Sequence, residues 1–492
     1  MNPSARPSLL ERSGYAVSAL SVNTYWQLFM MLQLFFYTDV FGISAASAGT
    51  MFLVTRLWDA VNDPIVGVLT DKTRTRWGRY RPWLLWSALP FGVLGVAAFT
   101  TPPLGDGGKL VYAYVTYSLL GLAYTAVGIP LSAMIGVSSP NSSTRTMLAS
   151  WNMFGAFVAS LFAQLFTLWL VERLGGVRPE MTAEQAIAAK RDGFQYTTLL
   201  YSTIAIAALV YAFCVMRERV VEAAREKAVP LMTQARHLLT SRAWLILLGV
   251  FLTMCLFISI RGASAVYFMK YYLQVRGDVT MLGWEMSEGT AIGVYLALGS
   301  VGCLIGTPLI TPLSRRFGKR MVFVGMLAIS AVVSAAHYPL GRDAVLAALL
   351  LQVLVGLFSG PLFILKNAML ADIADQIELD HGYRPTGLVY SAASFSFKFG
   401  WTIGGAVAGW ALAWFNFEPN VQQTGETVQG LRVMMSWLPM IPMALAAGLL
   451  VLYPLHEQQV EANAAALEAR RRTAAPTTPP PPAAPLDPAT DR

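Results

Sequence analysis

Three ionisable residues and an amide lie close together in one apolar stretch, FLVTRLWDAVNDPIVGVLTD. Arg56, Asp59 and Asp63 are three, four and seven residues apart, so in a helix they share one face, with Asn62 at its edge. Carboxylate and amide oxygens are the ligands that hard cations prefer. We predict that Asp59, Asn62 and Asp63 form a cation-coupling site. If the cation is Na⁺, Asp59 and Asp63 ligate the metal. Arg56 is predicted to be a supporting charge. An ion-pair network that only joins helices is the alternative.

A lysine in another apolar stretch is a suitable counter-charge. Lys398 is the only charged residue in SAASFSFKFGWTIGG, and its small neighbours permit close helix packing. A charge near the bilayer centre costs roughly 2.5–3.5 kcal/mol on insertion scales, so it normally faces a partner or a water-filled cavity. We predict that Lys398 belongs to both the cation site and the substrate site; a lysine that snorkels to the surface is the alternative. Arg261, in CLFISIRGASAVYF, is a second supporting charge whose partner the sequence does not identify.

The first apolar stretch contains amides and aromatic residues suited to a polar solute. Amides bind hydroxyl groups and aromatic rings stack on apolar ring faces. Trp and Tyr also collect at membrane–water interfaces, so an interfacial belt is the alternative. The predicted substrate-binding residues are Asn23, Trp26, Gln27, Tyr124 and Lys398.

A further group of charges lies at the ends of the apolar stretches. Opposite charges there would form ion pairs that close one side of the molecule. Exposed ion pairs are individually weak, so we predict a cytoplasmic gate only from the group as a whole. Its members are Asp71, Arg76, Arg79, Arg145, Asp372, Asp375 and Arg384.

The composition shows which elements must position these side chains. Of 492 residues, 55% are hydrophobic and 13% are charged, whereas soluble domains carry about 25% charged residues. Blocks such as LVYAYVTYSLLGLAYTAVGIP are long enough to cross roughly 30 Å of hydrocarbon. We therefore predict an all-α polytopic membrane protein with twelve transmembrane helices. The segments are 15–40, 47–70, 82–101, 110–135, 147–171, 196–216, 244–273, 289–313, 321–338, 343–371, 387–415 and 432–454.

Charge placement predicts the orientation in the membrane. The short loops DKTRTRWGRYR and SRRFGKR are densely basic and fall on the same side, which the positive-inside rule makes cytoplasmic. With twelve crossings, both termini are cytoplasmic, and we expect the cell inner membrane. These loops also account for the net charge of +8, so no nucleic-acid partner is expected.

A weak internal repeat divides the chain. Related basic loops follow the second and eighth segments, which indicates two six-helix halves with a site near the midplane, the plan of the major facilitator superfamily. We predict an N-terminal half at 1–216, a central cytoplasmic loop at 217–243 and a C-terminal half at 244–455. The Pro- and Ala-rich tail, 456–492, is predicted to be disordered.

Signatures of catalysis are absent from the sequence. There is no phosphate-binding loop, and the histidines are scattered. Cys214, Cys255 and Cys303 lack metal-ligand spacing. We expect no enzymatic activity and no cofactor besides a coupling Na⁺ or H⁺. The expected partners are a small-molecule sugar, a monovalent cation and the lipid bilayer, with a monomer as the functional unit.

Three blocks carry a more specific resemblance. The long block that begins FFYTDVFGISAASAGTMFLVTRLWDAVNDP, the block AMLADIADQIELDHGYRPTGLVYSAASFSFKFG and the block GIPLSAMIGVSSPNSSTRTML resemble the glycoside–pentoside–hexuronide:cation symporter family. The resemblance covers about 15–455 and implies inward sugar movement coupled to H⁺, Na⁺ or Li⁺ by alternating access. It also implies that Asp59, Asn62 and Asp63 are cation-site residues, with Arg56 and Lys398 at the matching basic positions.

Other positions depart from the family pattern. Asn23, Gly128 and Met153 stand where melibiose-type members carry charged sugar-site residues, so the resemblance implies a different glycoside or an oligosaccharide. A lipid-like or other non-sugar solute carried by the same fold remains an alternative. So do a non-transporting sugar sensor and a uniporter. The sequence leaves the sugar, the choice of cation and the oligomeric state open.

Overall fold

The computed structural model describes residues 7–139, 141–178, 180–219, 231–275, 279–281, 284–383 and 385–474. Over these residues the chain is almost entirely helical, which confirms the all-α prediction, and each of the twelve predicted segments is a helix. They are α1 (9–41), α2 (Ala45–Lys72), α3 (Arg81–Ala98), α4 (Asp106–Val137), α5 (Ser142–Gly175), α6 (Ala183–Val215), α7 (Arg242–Tyr272), α8 (Glu288–Phe317), α9 (Lys319–Ala335), α10 (Val345–His381), α11 (Thr386–Trp414) and α12 (Gly425–Val451). The chain also forms a linker helix (Leu231–Thr240), a tail helix (Glu457–Ala474) and a small hairpin of β1 (Val279–Met281) and β2 (Trp284–Met286).

Seven of the described helices are long and apolar enough to cross a membrane by length and composition: α4, α5, α6, α7, α8, α10 and α12. Within the described part of α2, Ala45–Thr55 is a shorter apolar stretch.

Local sequence signals set the helix boundaries. Ser44 and Ser287 cap α2 and α8 with their hydroxyl groups, and Gly42, at φ 89°, ends α1 in a left-handed conformation that favours glycine. Thr182 and Gln185 form a reciprocal capping box at the start of α6. This box explains why α6 begins at Ala183, well before the predicted residue 196.

The helices pack as two sets. α1, α5 and α6 pack together with α3 and α4, while α7, α9 and α12 pack together with α8, α10 and α11. The two sets meet mainly where α2 lies against α11 and α5 lies against α8. Small residues permit these contacts: Gly49 faces Gly409, and a Cβ added to Gly293 would lie 2.7 Å from the Leu165 carbonyl oxygen. We call α1–α6 the first set and α7–α12 the second set, and keep 217–243 as their proposed boundary.

Both described chain ends lie at one end of the bundle. α2 and α11 run antiparallel, with Gly49 beside Gly409 and Asp63 beside Lys398, so the last residues of α2 and the first of α11 lie together. Glu11, near the start of α1, pairs with Arg219 just after α6. We call this the terminal end, and the other the opposite end.

The tail differs from the prediction. Residues 457–474 form a helix instead of a disordered segment, while 475–492 lie outside the described residues. Asn463 Nδ2 donates to Gln376 Oε1 of α10 at 2.6 Å, and the backbone N–H of Lys319 donates to Glu457 Oε2 at 3.1 Å. The prediction was wrong here because EANAAALEARR consists of good helix formers that precede the Pro-rich part, and Leu467 is buried.

Candidate cation and substrate site

An ion pair between the two sets lies at the centre of the candidate site. Lys398 Nζ of α11 donates to Asp63 Oδ2 of α2, and Thr125 Oγ1 of α4 donates to Asp63 Oδ1 at 2.9 Å. The two charged side chains retain exposures of 41% and 23%, so water reaches them. The structure therefore places Lys398 beside one of the predicted carboxylates, as the sequence analysis expected, and adds Thr125 as a third group.

The other members of the predicted cluster lie on the same helix. Asn62 is buried, and within the described residues its Nδ2 has no hydrogen-bond partner. A buried polar group without a partner costs about 1–3 kcal/mol, and the place of Asn62 in a cation site stays a prediction. The side chains of Arg56 and Asp59 lie outside the described part of the structure, so their roles stay predictions.

Four aromatic side chains from both sets meet beside this ion pair. The Trp26 ring stacks on Phe397 at 5.7 Å and 17°, lies 5.9 Å from Tyr124, and meets Trp401 edge-on at 6.0 Å. All four are half-buried, and Trp401 Nε1 is a buried donor without a described acceptor. The interfacial-belt interpretation does not apply to Trp26 and Tyr124, because they lie between the sets in the interior.

The sequence analysis missed Phe397 and Trp401. Both flank Lys398 on α11, one residue before it and three after it, so helical periodicity around that lysine was the available signal. We call Trp26, Tyr124, Phe397 and Trp401 the aromatic cluster.

The predicted amides of α1 differ in their surroundings. Gln27 Nε2 donates to Ser160 Oγ at 3.0 Å, and Gln27 Oε1 accepts from Gln164 Nε2 at 3.2 Å. Ser300 of α8 donates to Gln164 Oε1 at 2.8 Å, so this hydrogen-bonded chain crosses between the sets. Asn23 Nδ2 donates to the Ala19 carbonyl of its own helix at 2.8 Å.

Arg261 lies away from the ion pair and inside the second set. Its guanidinium donates to Ser334 Oγ at 3.1 Å, to the Met435 carbonyl at 2.8 Å and to Gln352 Oε1 at 2.9 Å. These neutral acceptors on α9, α10 and α12 are the partners that the sequence left open. Arg261 and Gln352 also border a cavity of about 190 Å³ between α7, α8 and α10, next to Phe363.

Two of the predicted gate residues, Asp71 and Asp372, have partners within their own set. Tyr80 donates to Asp71 at 2.8 Å, and Asp372 pairs with Lys319 at 2.5 Å. The Arg76 and Arg79 guanidinium groups lie over the rings of Trp77 and Tyr80. Arg145 donates to the Ser139 carbonyl, and Asp375 lies one turn beyond Asp372 on α10. Arg384 lies outside the described residues. A gate between the sets at this end therefore stays a prediction for another conformation.

A buried network that the sequence analysis did not predict joins the sets at the opposite end. Lys270 Nζ of α7 donates to Asp39 Oδ1 of α1 at 2.7 Å, and Tyr271 donates its hydroxyl to the same oxygen. Asn420 Nδ2 donates to the Asp39 carbonyl at 2.7 Å and accepts from Lys270 at 3.0 Å through Oδ1. The Asp39 side chain is only 1% exposed. We call Asp39, Lys270, Tyr271 and Asn420 the closing network.

A second contact at this end reinforces the first. Glu172 of α5 accepts from Ser287 Oγ at 2.5 Å and from the Gly289 N–H at 2.8 Å, while Lys190 pairs with Glu288 at 3.4 Å. These residues were missed because each lies near a helix end, where a single charge is normally solvated. Since polar bridges between the sets are described at the centre and at the opposite end, this conformation is closed at the opposite end.

Comparison with known proteins now adds to the geometry. Residues 14–457 match the family described as MFS/sugar transport protein. The chain is 32% identical to the "Putative glycoside/cation symporter YagG" of Escherichia coli over 92% of this chain and 94% of that protein. It is 33% identical to the "Isoprimeverose transporter" of Lactiplantibacillus pentosus, with 90% and 88% covered.

Solved structures agree on the fold. A D-xylose-proton symporter superimposes with a TM-score of 0.58 at 15% identity, covering 91% of this chain and 97% of that one. A bacterial homologue of the lysosomal transporter Spinster, in an inward-facing and occupied conformation, gives 0.62 at 14% identity, with 90% and 95% covered. The chain is thus a polytopic membrane protein of the major facilitator fold, and it belongs to the MFS/sugar transport protein family, within which the resemblance to glycoside–pentoside–hexuronide:cation symporters is confirmed.

Proposed function

We propose that this protein is a symporter that couples entry of a glycoside or oligosaccharide to a Na⁺ or H⁺ gradient. The observation that carries the proposal is the Asp63–Lys398 pair, which joins the two sets directly beside the aromatic cluster. The relatives named as a glycoside/cation symporter and an isoprimeverose transporter support the same solute class.

The ion pair supplies a coupling mechanism. Without a bound cation, Lys398 neutralises Asp63, and Thr125 satisfies the other carboxylate oxygen. A cation or proton at Asp63 replaces the ammonium group, and the released Lys398 donates to a sugar hydroxyl beside the aromatic cluster. By linkage, the sugar raises the affinity for the cation by the same factor as the cation raises the affinity for the sugar.

The two packing sets supply alternating access. We propose that both termini are cytoplasmic, in the inner membrane, because the basic loops lie at the terminal end. The closing network then shuts the outer side in this conformation. When it separates, the gate charges around Asp71 and Asp372 come together at the other end. If only one of Asp63 and Lys398 is neutralised, this change is resisted, because the remaining charge must lose its contact with water while the two ends exchange.

The test uses purified protein in proteoliposomes with imposed pH and sodium gradients. Labelled monosaccharides, disaccharides and glycosides are supplied to wild type, to Asp63→Asn and to Asp106→Asn. Asp106 is an exposed carboxylate at the start of α4 and serves as the matched control. We expect accumulation against a gradient in wild type and Asp106→Asn, collapsing with one cation gradient, and no accumulation in Asp63→Asn.

Full accumulation in Asp63→Asn would refute its coupling role. Sugar flux without any cation dependence would indicate a uniporter. Binding without flux would indicate a sensor, and the absence of both across the sugars would direct the assay to lipid-like solutes.

A further inference from the structure

A cavity outside the central site lies at the opposite end, between the two sets. It measures about 590 Å³ and is bordered by the end of α5, the start of α6 and the start of α8. Its lining includes Trp169, Arg173 and Arg178 from the first set and Ser287 and Glu288 from the second. An occupant of this cavity would therefore contact both sets.

Within the described residues, the ion pairs and hydrogen bonds at the cavity do not include the side chains of its two arginines. Glu172 already accepts from the Ser287 hydroxyl and the Gly289 N–H, and Glu288 already pairs with Lys190. Arg173 and Arg178 make no described side-chain hydrogen bond or ion pair, and both are exposed. Guanidinium groups that line one cavity are suited to phosphate, because each presents a planar fork of donors.

The cavity opens towards the bilayer. Phe162, Phe166, Trp169 and Arg173 are exposed and follow one another at intervals of three or four residues, so they share one face of α5. Gln164 contacts α1 and α8 and lies two residues from both Phe162 and Phe166. Because residues two apart in a helix are about 200° apart around its axis, Gln164 points away from the exposed face. The exposed face therefore turns away from the centre of the bundle, and an apolar aromatic stripe leads along it to the two arginines.

We propose that this cavity binds the headgroup of an anionic phospholipid. The phosphate lies between Arg173 and Arg178, Trp169 packs at the level of the glycerol backbone, and an acyl chain follows Phe166 and Phe162. Tryptophan at the end of a membrane helix suits this level of the bilayer. Because the cavity exists only while the start of α8 is held against α5, the bound lipid stabilises the conformation that is closed at the opposite end.

The test measures lipid contact directly. Protein is placed in phosphatidylcholine nanodiscs that contain either brominated phosphatidylglycerol or brominated phosphatidylcholine at the same mole fraction. Bromine quenches nearby tryptophan, and the difference between wild type and Trp169→Phe isolates the emission of Trp169. We expect stronger quenching by the phosphatidylglycerol probe. Arg173→Gln and Arg178→Gln should each raise the half-saturating phosphatidylglycerol fraction roughly fivefold, since a basic residue near an anionic surface contributes about 1 kcal/mol.

Two control variants make the result specific. Arg342→Gln removes an exposed arginine between α9 and α10 at the same end and should leave the preference intact. Arg173→Lys with Arg178→Lys keeps both charges and should retain most of the preference. Equal quenching by the two probes in wild type, or a preference that survives Arg173→Gln with Arg178→Gln, would overturn the proposal. Displacement of brominated phosphatidylglycerol by inorganic phosphate would also overturn it, because the site would then bind a free anion.

Discussion

Replacing Asp39 by asparagine should open the end of the bundle that is closed in this structure. The substitution keeps the size of the side chain but removes the charge that pairs with Lys270 at 2.7 Å. The Lys270 side chain is only 7% exposed in the closed conformation, whereas separation of the sets brings it into water. In Asp39→Asn, the unpaired charge of Lys270 therefore destabilises only the closed conformation.

The magnitude follows from these contacts. Breaking a buried ion pair by removing one partner costs about 3–5 kcal/mol. Lys270 would keep Asn420 Oδ1 at 3.0 Å and the Tyr271 ring at 4.7 Å, so we take the lower value. At about 1.4 kcal/mol per factor of ten, the ratio of closed to open conformations should fall roughly a hundredfold.

Spin-label distances measure this ratio, with the three native cysteines replaced by serine. Labels at Gly107, exposed in the first turn of α4, and at Arg342, exposed in the loop between α9 and α10, report on the opposite end. Labels at Arg74 and Arg315, also exposed, report on the terminal end. In Asp39→Asn the first distance should lengthen and the second should shorten.

Two further variants separate gating from general damage. Asp39→Asn with Lys270→Met removes both charges and should return most of the population to the closed conformation. Glu11→Gln breaks a comparably buried pair with Arg219, which lies just after α6 and makes no described contact with the second set. It should lower stability without changing either distance. If Asp39→Asn leaves both distance distributions unchanged, or if Glu11→Gln shifts them equally, the reasoning about the closing network is wrong.

Three other predictions test single side chains. Trp26→Ala should weaken sugar binding up to roughly tenfold and Trp26→Phe much less, since an aromatic contact contributes about 0.5–1.5 kcal/mol. Calorimetric titration measures the sugar affinity, and equal affinities of wild type and Trp26→Ala would argue against stacking. Arg261→Ala should destabilise the protein by at least about 3 kcal/mol, because several charged hydrogen bonds are lost and Gln352 loses its partner. The midpoint of thermal unfolding in nanodiscs measures the loss of stability, and an unchanged midpoint would contradict the prediction. Burial, with the nearby charges of His381 and Arg236, lowers the pKa of His237 below 6.5, so the linker helix, in which His237 Nδ1 lies 2.9 Å from the Tyr383 hydroxyl, favours the neutral imidazole. The stabilisation is complete above pH 6.5 and is lost as the pH falls below it, so hydrogen-exchange protection of 231–240 should fall at pH 5.5, and His237→Gln should abolish this dependence.

Residue type and spacing were sufficient to single out Asp63 and Lys398, which form an ion pair in the structure. Placing a charged residue such as Asp63 or Lys398 in an apolar membrane helix raises the free energy of insertion. This free energy depends on local composition, so the sequence alone reveals such residues. The twelve helices were predictable for the same reason, since spanning length and apolarity are local properties. The helical part of the tail was missed because the whole of 456–492 was predicted as one segment from the composition of its Pro-rich end.

Other features depend on which helices meet. Asp39 and Lys270 are 231 positions apart in the chain, and each alone resembles an ordinary charge near a helix end. Phe397 and Trp401 are unremarkable until α11 turns them towards Trp26 of the other set.

The sequence alone determined that the chain crosses the membrane many times, that Asp59 and Asp63 are four residues apart in the segment of α2, and that a lysine in α11 needs a partner. Only the tertiary structure decided which carboxylate Lys398 contacts, which acceptors Arg261 uses and which end of the bundle is closed. The physical reason is that insertion energies sum along the chain, whereas ion pairs and ring contacts depend on distances of a few ångströms between residues remote in sequence.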